Sequence, residues 1–271
     1  MLPRVTQVHK PESIEEATHL LIEQDVRPLY GGVALHRESP MDVSAVVDLS
    51  LLGLEQHRIF DTGFSLGSMM TLEAAYQASL AIAEHSPNAG FLASVIRQEA
   101  PVNMRNTMTI GDVLVERRAD SCLLTAFVLL DAQVDANGWP RFIHEWLDAP
   151  DVEVRSALIT EVALERGSTS AKYAFEKVAR TPADAPIVGA MSYLDRSADG
   201  TIVDARLAMC GIAPHPIPLP AVDEALMQSG ADVEAALAKL DITPPSDHWG
   251  SSEYRLAMAR VLGRRVLNRT L

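Results

Sequence analysis

Met104-Arg105-Asn106-Thr107-Met108-Thr109-Ile110-Gly111-Asp112 is the stretch around which the rest of the chain is read. A short β-prone run, 107–110, meets a glycine and then a segment from Val113 onward that can start a helix. A strand-to-helix turn of this kind leaves backbone N–H groups free at a helix N-terminus, where a phosphate would sit. Further out, Pro28-Leu29-Tyr30-Gly31-Gly32-Val33-Ala34-Leu35 repeats the logic: an apolar run, two glycines, then apolar helix formers. Two such turns, each after a strand, can grip one pyrophosphate from two sides. Either alone reads first as an ordinary turn.

The first fifty residues supply the frame of the earlier turn. Residues 5–8 read as a strand, and Ser13-Ile14-Glu15-Glu16 is a capping box opening a helix whose apolar stripe is Ala17, Leu20 and Leu21. Strands follow at 27–30 and 46–49, so the Gly-Gly turn lies where a strand hands over to a helix, a usual ligand position in α/β sheets. From residue 57 the pattern changes to short strands at 58–61 and 64–66, then helices at 71–84, 88–99 and 121–130. Asn137-Gly138 signals a hairpin, and 140–170 reads as transitional. An antiparallel hairpin is expected from 187–194 and 202–210 about the Asp199-Gly200 turn. Pro214, Pro216, Pro218 and Pro220 then interrupt regular structure, and helices follow at 223–227, 232–240 and 252–269.

Composition excludes several classes of function. With 271 residues, 48% hydrophobic and 22% charged, the chain has material for a sizeable core in two domains of ordinary size. A net charge of −13 argues against nucleic acid, which needs a basic face. The one basic cluster, Arg260, Arg264, Arg265 and Arg269, has helical spacing and reads as the solvated face of a final helix or a contact to an acidic partner subunit. No apolar run approaches the roughly 18 residues of a membrane helix, and residues 1–5 carry no signal-peptide pattern, so a soluble cytoplasmic protein is expected. Cys122 and Cys210 are far apart and lack partners at ligand spacing. A self-contained iron–sulfur cluster needs about four thiolates, so both are read as small buried apolar residues. The eight histidines offer no metal-ligand spacing, and no metal site is expected. Gly63-Phe64-Ser65-Leu66-Gly67 fits the G-x-S-x-G pattern, but the helix that should follow the serine at once starts only near Thr71, so a strand edge is expected instead of a nucleophile.

Taken together, these segments resemble the FAD-binding medium subunit of the molybdenum hydroxylases, the carbon monoxide dehydrogenase and xanthine dehydrogenase type. Tyr30-Gly31-Gly32-Val33-Ala34-Leu35 is similar to the family's Ala-Gly-Gly-x-Ser/Asp-Leu loop, and residues 105–113 to its Arg-Asn-x-x-Thr-Ile-Gly-Gly-Asn/Ser turn. Leu66-Gly67-Ser68-Met69-Met70-Thr71, the run at 126–134, Ala174-Phe175-Glu176-Lys177 and Asp247-x-x-Gly250-Ser251-Ser252-Glu253-Tyr254-Arg255 match further motifs in order over nearly the whole chain.

The resemblance implies an α+β fold: a two-subdomain, PCMH-like FAD-binding domain at 1–164 (subdomains about 1–54 and 55–164), then a small C-terminal domain of antiparallel sheet plus helices at 165–271. It implies FAD as cofactor, held by Tyr30, Gly31, Gly32, Val33, Ala34, Leu35, Asn106, Thr109, Ile110, Gly111, Asp112 and Val113. Lys177 stands at the family's lysine position and either serves the flavin or is a surface lysine, and Asp120 either reaches a ribose or adenine or caps the helix from Ser121. The implied partners are an iron–sulfur small subunit and a molybdopterin large subunit in a hetero-oligomer. The chain itself would place and tune the flavin and supply no catalytic side chain. Asp112, Val113 and Ala34 depart from the family's glycine and polar residues. A carboxylate beside a pyrophosphate adds repulsion of about 1 kcal/mol at 4 Å in water, more when partly buried. The departures therefore motivate an alternative, a flavin-free structural or assembly subunit on the same fold.

Overall fold

The computed structural model describes residues 4–38, 42–228 and 232–271, so the first three residues of the N-terminal signal reading lie outside the described residues. Its elements begin with β1 (Gln7–His9), α1 (Ile14–Leu20), β2 (Val26–Leu29), α2 (Val33–Glu38) and β3 (Ala45–Asp48). The three strands form a parallel sheet in the order β1-β3-β2. Ser13 caps α1 by accepting from the Glu16 N–H at 3.1 Å, while the Glu16 carboxylate accepts from the Glu12 N–H at 3.0 Å. This is the expected box with its return bond shifted by one residue. Central β3 is apolar because it is flanked on both sides, and Val46 packs with Leu35 and Val43 in a small core.

The next elements are β4 (His57–Ile59), β5 (Gly63–Gly67), α3 (Leu72–Ile82), α4 (Pro87–Glu99), α5 (Val102–Arg105), α6 (Ile110–Glu116) and α7 (Cys122–Leu129). They are followed by β6 (Gln133–Ala136), β7 (Trp139–Phe142), α8 (Ile143–Leu147), α9 (Asp151–Ser156) and β8 (Ile159–Glu165). Five strands join antiparallel in the order β4-β5-β8-β6-β7. Asn137 and Gly138 turn the β6–β7 hairpin with φ of 56° and 77°, the primed turn their sequence signals.

Two expectations are corrected. Residues 107–110 are not a strand: α5 precedes them, and their only strand-like pairing among the described residues is one isolated bridge, Thr71 to Thr109. The Ile110 N–H donates to the Met70 carbonyl at 3.0 Å and the Leu72 N–H to the Met108 carbonyl at 2.8 Å, and no neighbouring strand extends the ladder. The transitional stretch holds two helices and the central strand β8, whose Thr160 and Glu161 disguise its alternation. Glu161 accepts from Ser65 Oγ at 2.7 Å, so Ser65 is a satisfied residue of β5, with the strand running on through Gly67.

The remaining elements are β9 (Lys172–Val178), β10 (Val188–Arg196), β11 (Ile202–Cys210), β12 (Ile217–Pro218), α10 (Pro220–Gln228), α11 (Val233–Leu237) and α12 (Ser252–Thr270). The strands form an antiparallel sheet in the order β12-β11-β10-β9. Val188 through Leu194 of β10 are all buried, because α7 and α12 both pack on this strand. That is why it reads as an unbroken apolar run.

The chain divides into two compact units: residues 1–78, 102–116 and 132–165 in the first, and 79–101, 117–131 and 166–271 in the second. Within the second unit, α7 is capped by Ser121, whose Oγ accepts from the Leu124 N–H at 3.0 Å, and by Glu99, which accepts from the Leu123 N–H at 2.7 Å. Asp120 is therefore not the cap: Arg118 holds it through two bonds of 2.8 Å. The C-terminal arginines find partners in the same chain, Arg264 on Glu234, and Arg265 and Arg269 on Glu176 at 2.6 and 2.8 Å.

Burial on α10, together with the nearby Asp204 and Asp131, pushes the Asp223 carboxyl up to about 8 against the opposing Leu207 N–H and Arg206. A raised carboxyl binds its proton more tightly folded than unfolded. Stability is thus full below about pH 4 and falls as pH rises through 8. Asp223→Asn keeps the acceptor for Leu207 and removes the charge. It is expected to gain about 2 kcal/mol over the parent at pH 9, well under the ceiling that about 1.4 kcal/mol per pH unit sets between about pH 4 and 8, and nothing at pH 4. Parallel urea stability curves for the two proteins across this range would refute the assignment.

Candidate functional site

Both glycine loops lie in the first unit, the earlier where strand β2 hands over to α2 and the later where the turn after α5 hands over to α6. The earlier runs from the end of β2 through Tyr30, Gly31 and Gly32 into α2, with Gly32 at φ 82°, a left-handed value that glycine adopts without strain. The later runs through Thr107, Met108 and Thr109 into α6. The fold sets them side by side: the Gly31 N–H donates to Thr109 Oγ1 at 3.2 Å. At the far ends of the two helices Arg37 holds the Glu116 carboxylate at 2.9 and 3.1 Å.

Tyr30 is the pillar of this arrangement. Its hydroxyl donates to the Ala157 carbonyl at 3.0 Å and accepts from the Ile159 N–H at 2.8 Å. Burial raises the phenol's pKa far above its usual value and keeps it a neutral donor. Its ring lies against Gly111 so closely that a methyl group there would overlap it. Glycine at 111 is thus required by an aromatic ring, whatever ligand is bound.

Asp112 joins the loops. Its carboxylate is 1% exposed; Oδ1 accepts from the Ala34 N–H at 3.0 Å, and Oδ2 from the Thr109 N–H at 3.0 Å and Thr109 Oγ1 at 3.1 Å. The Asp112 N–H in turn donates to Thr109 Oγ1 at 3.2 Å. Thr109 and Asp112 therefore form a capping box at the start of α6, the Thr-x-x-Asp signature legible in the sequence, extended by a bond to the other loop. Hydrogen bonds to a charged group contribute about 1.5–3 kcal/mol each, so this carboxylate is a principal fastening of the two loops.

The other expected site residues divide. Gly31 and Ala34 bond through their backbone N–H groups at the junction, with Gly32 and Val33 between them in the chain, whereas Leu35, Ile110 and Val113 are buried apolar side chains. Asn106 is exposed just beyond α5, where Arg105 pairs with Glu73 at 2.9 Å. Lys177 and Asp120 belong to the second unit, where the Lys177 ammonium donates to the Asp184 carbonyl at 2.9 Å. A recess beside the loops is walled by Arg27, Tyr30, Gly32, Asp112 and Arg155, and it has room for about one water. Two arginines and two carboxylates, Glu38 and Asp112, line it, and each arginine has an acidic partner, Asp42 for Arg27 at 3.5 Å and Glu38 for Arg155 at 2.7 Å. Among the described residues no cluster of metal-ligating side chains is found, and no helix is long and apolar enough to cross a membrane.

Comparison with known proteins follows this geometry. Residues 4–162 match the family described as FAD binding domain in molybdopterin dehydrogenase, and residues 173–270 the CO dehydrogenase flavoprotein C-terminal domain. The chain is 27% identical to the uncharacterized protein YgfM of Escherichia coli (strain K12), over 95% of this chain and 93% of the relative. It is 25% identical to the carbon monoxide dehydrogenase medium chain of Afipia carboxidovorans, over 99% and 98%. In structure it is similar to carbon monoxide dehydrogenase from Hydrogenophaga pseudoflava, with a TM-score of 0.87 and 21% identity, over 100% of this chain and 98% of that one.

Proposed function

The chain belongs to the FAD-binding flavoprotein family of the molybdopterin dehydrogenases, and from that premise we propose that it is the flavin-carrying electron-transfer subunit of a molybdenum-hydroxylase-type complex. In this reading it works beside an iron–sulfur small subunit and a molybdopterin large subunit. FAD, when bound, would supply the redox chemistry that links the iron–sulfur centres to an outside acceptor.

What this chain's residues do is hold and orient. The observation that carries the reading is the junction of the two loops, where the Ala34 N–H from one loop and the Thr109 N–H and hydroxyl from the other converge on one anionic position, the Asp112 carboxylate. That position fits a pyrophosphate in the chemistry of its donors, since they are donors that already bind a carboxylate. Tyr30 and Gly111 fix the spacing between the loops. Neither cysteine is suited to ligate iron here: burial raises the Cys122 thiol and pushes Cys210 up to about 12, so both stay protonated near neutral pH.

Titration of the purified full chain with FAD, followed by flavin fluorescence, tests the reading. Saturable binding of FAD, with much weaker binding of riboflavin, is expected. Absence of saturation up to about 1 mM, a binding energy of only about 4 kcal/mol, would remove the flavin role. One observation favours the alternative of a flavin-free structural subunit: the Asp112 carboxylate already satisfies donors of both loops. The same titration separates the two.

A further inference from the structure

We propose that Asp112 is a built-in anion competing with FAD: its carboxylate takes donors that the pyrophosphate would use, latches the two loops together in the flavin-free protein, and must be displaced for the cofactor to enter. The inference rests on the flavin reading above and deepens it into a statement about how that site is controlled.

Three features of the junction carry it. The carboxylate bridges both loops, through Ala34 on one and Thr109 on the other, and it is 1% exposed, so a ligand cannot reach these donors while it stays in place. Its Oδ2 also lies directly against Gly31, in the space that the missing glycine side chain leaves open. Finally, the adjoining recess holds about one water, too little for a phosphodiester alongside the carboxylate. Among the described residues the N–H groups of Gly32 and Val33 make no bond to protein, so the junction keeps unused donors for a phosphate that does arrive.

The consequence follows from linkage. An interaction present only in the free protein subtracts its full worth from the apparent affinity of whatever displaces it. The flavin-free chain is therefore self-supporting at this site, and FAD is held exchangeably. Ordinary pyrophosphate cradles, which have no internal anion, are stabilised by the ligand itself.

The test compares the full-length parent with Asp112→Gly and Asp112→Asn, reading FAD affinity by fluorescence titration and melting temperature without FAD. Asp112→Gly is expected to bind FAD at least about tenfold more tightly, roughly 1.4 kcal/mol, while melting several degrees lower in its absence. Asp112→Asn keeps the shape and one acceptor but loses the charge, and should fall between on both readouts. It carries the comparison if the glycine variant does not fold. If the parent binds FAD and neither variant binds it more tightly, the latch is overturned and the flavin reading stands. If no protein of the set binds FAD, the flavin reading is overturned and the competition with it. An unchanged melting temperature in FAD-free Asp112→Gly overturns the latch even where affinity rises.

Discussion

Gly31→Ala is expected to lower the stability of the flavin-free chain by about 3 kcal/mol or more, a fall in melting temperature of roughly 6–12 °C for a unit of this size. The cause is steric. A methyl group on Gly31 would overlap the Thr107 carbonyl oxygen and Asp112 Oδ2, and would press Thr109 Cγ2 at 3.0 Å. The carbonyl is backbone and cannot swing aside as a side-chain tip does, so the loops must separate. Separation breaks the Gly31 bond to Thr109 and endangers those of Asp112. Gly138→Ala is the matched control. Gly138 sits at φ 77° with nothing within 4 Å of the added methyl, so that variant loses only the conformational term, about 1–2 kcal/mol. Thermal melts of the two variants side by side decide the matter. Equal losses would mean that loop packing does not set the requirement for glycine at 31.

What the sequence could and could not reveal follows from how far apart the interacting groups are. The hairpins at Asn137-Gly138 and Asp199-Gly200 and the cap at Ser13 are local, and each was readable within a few residues, whereas the cap offered for α7 was Asp120, one residue before the Ser121 that makes it. Strand β8 was hidden because the groups that settle its polar residues are distant: Ser65, which donates to Glu161, lies 96 positions earlier. Tyr30 read as a loop residue near a ligand, but its hydroxyl is tied to residues 127 and 129 positions away. The pairing of the two glycine loops was legible in outline. The role of Asp112 was not, although Thr-x-x-Asp stood in plain view, because its decisive acceptor bond goes to Ala34, 78 residues back. Read against a pyrophosphate alone, the carboxylate is a defect. With both loops in place, it is the group that joins them.

Arg255→Ala is expected to cost the second unit about 3–5 kcal/mol. The side chain is 7% exposed and meets four acceptor atoms: Nη1 donates to the Ile187 carbonyl at 2.6 Å and to the Gly211 carbonyl at 2.7 Å, and Nη2 to both Asp247 oxygens at 2.8 Å. Asp247 is 41% exposed and can turn to water when the arginine goes, so its loss is the smaller part. The two carbonyls have less recourse, and a buried acceptor stripped of its donor costs about 1–3 kcal/mol. They belong to the turn before β10 and to Gly211 at the end of β11, while Arg255 stands in the first turn of α12. One guanidinium thus ties the start of the closing helix to two strands of the sheet it covers, and this explains why a charged residue is buried there. Lysine has a single ammonium without the planar fork, so Arg255→Lys should recover less than half of the loss. The same contact holds the Asp247 carboxyl below the usual carboxylate range, its bond to Arg255 being the main cause. In Arg255→Ala that carboxyl should therefore titrate closer to its ordinary value. A denaturation midpoint for Arg255→Ala within experimental error of the parent would show that the buried guanidinium is not the tie between α12 and the sheet.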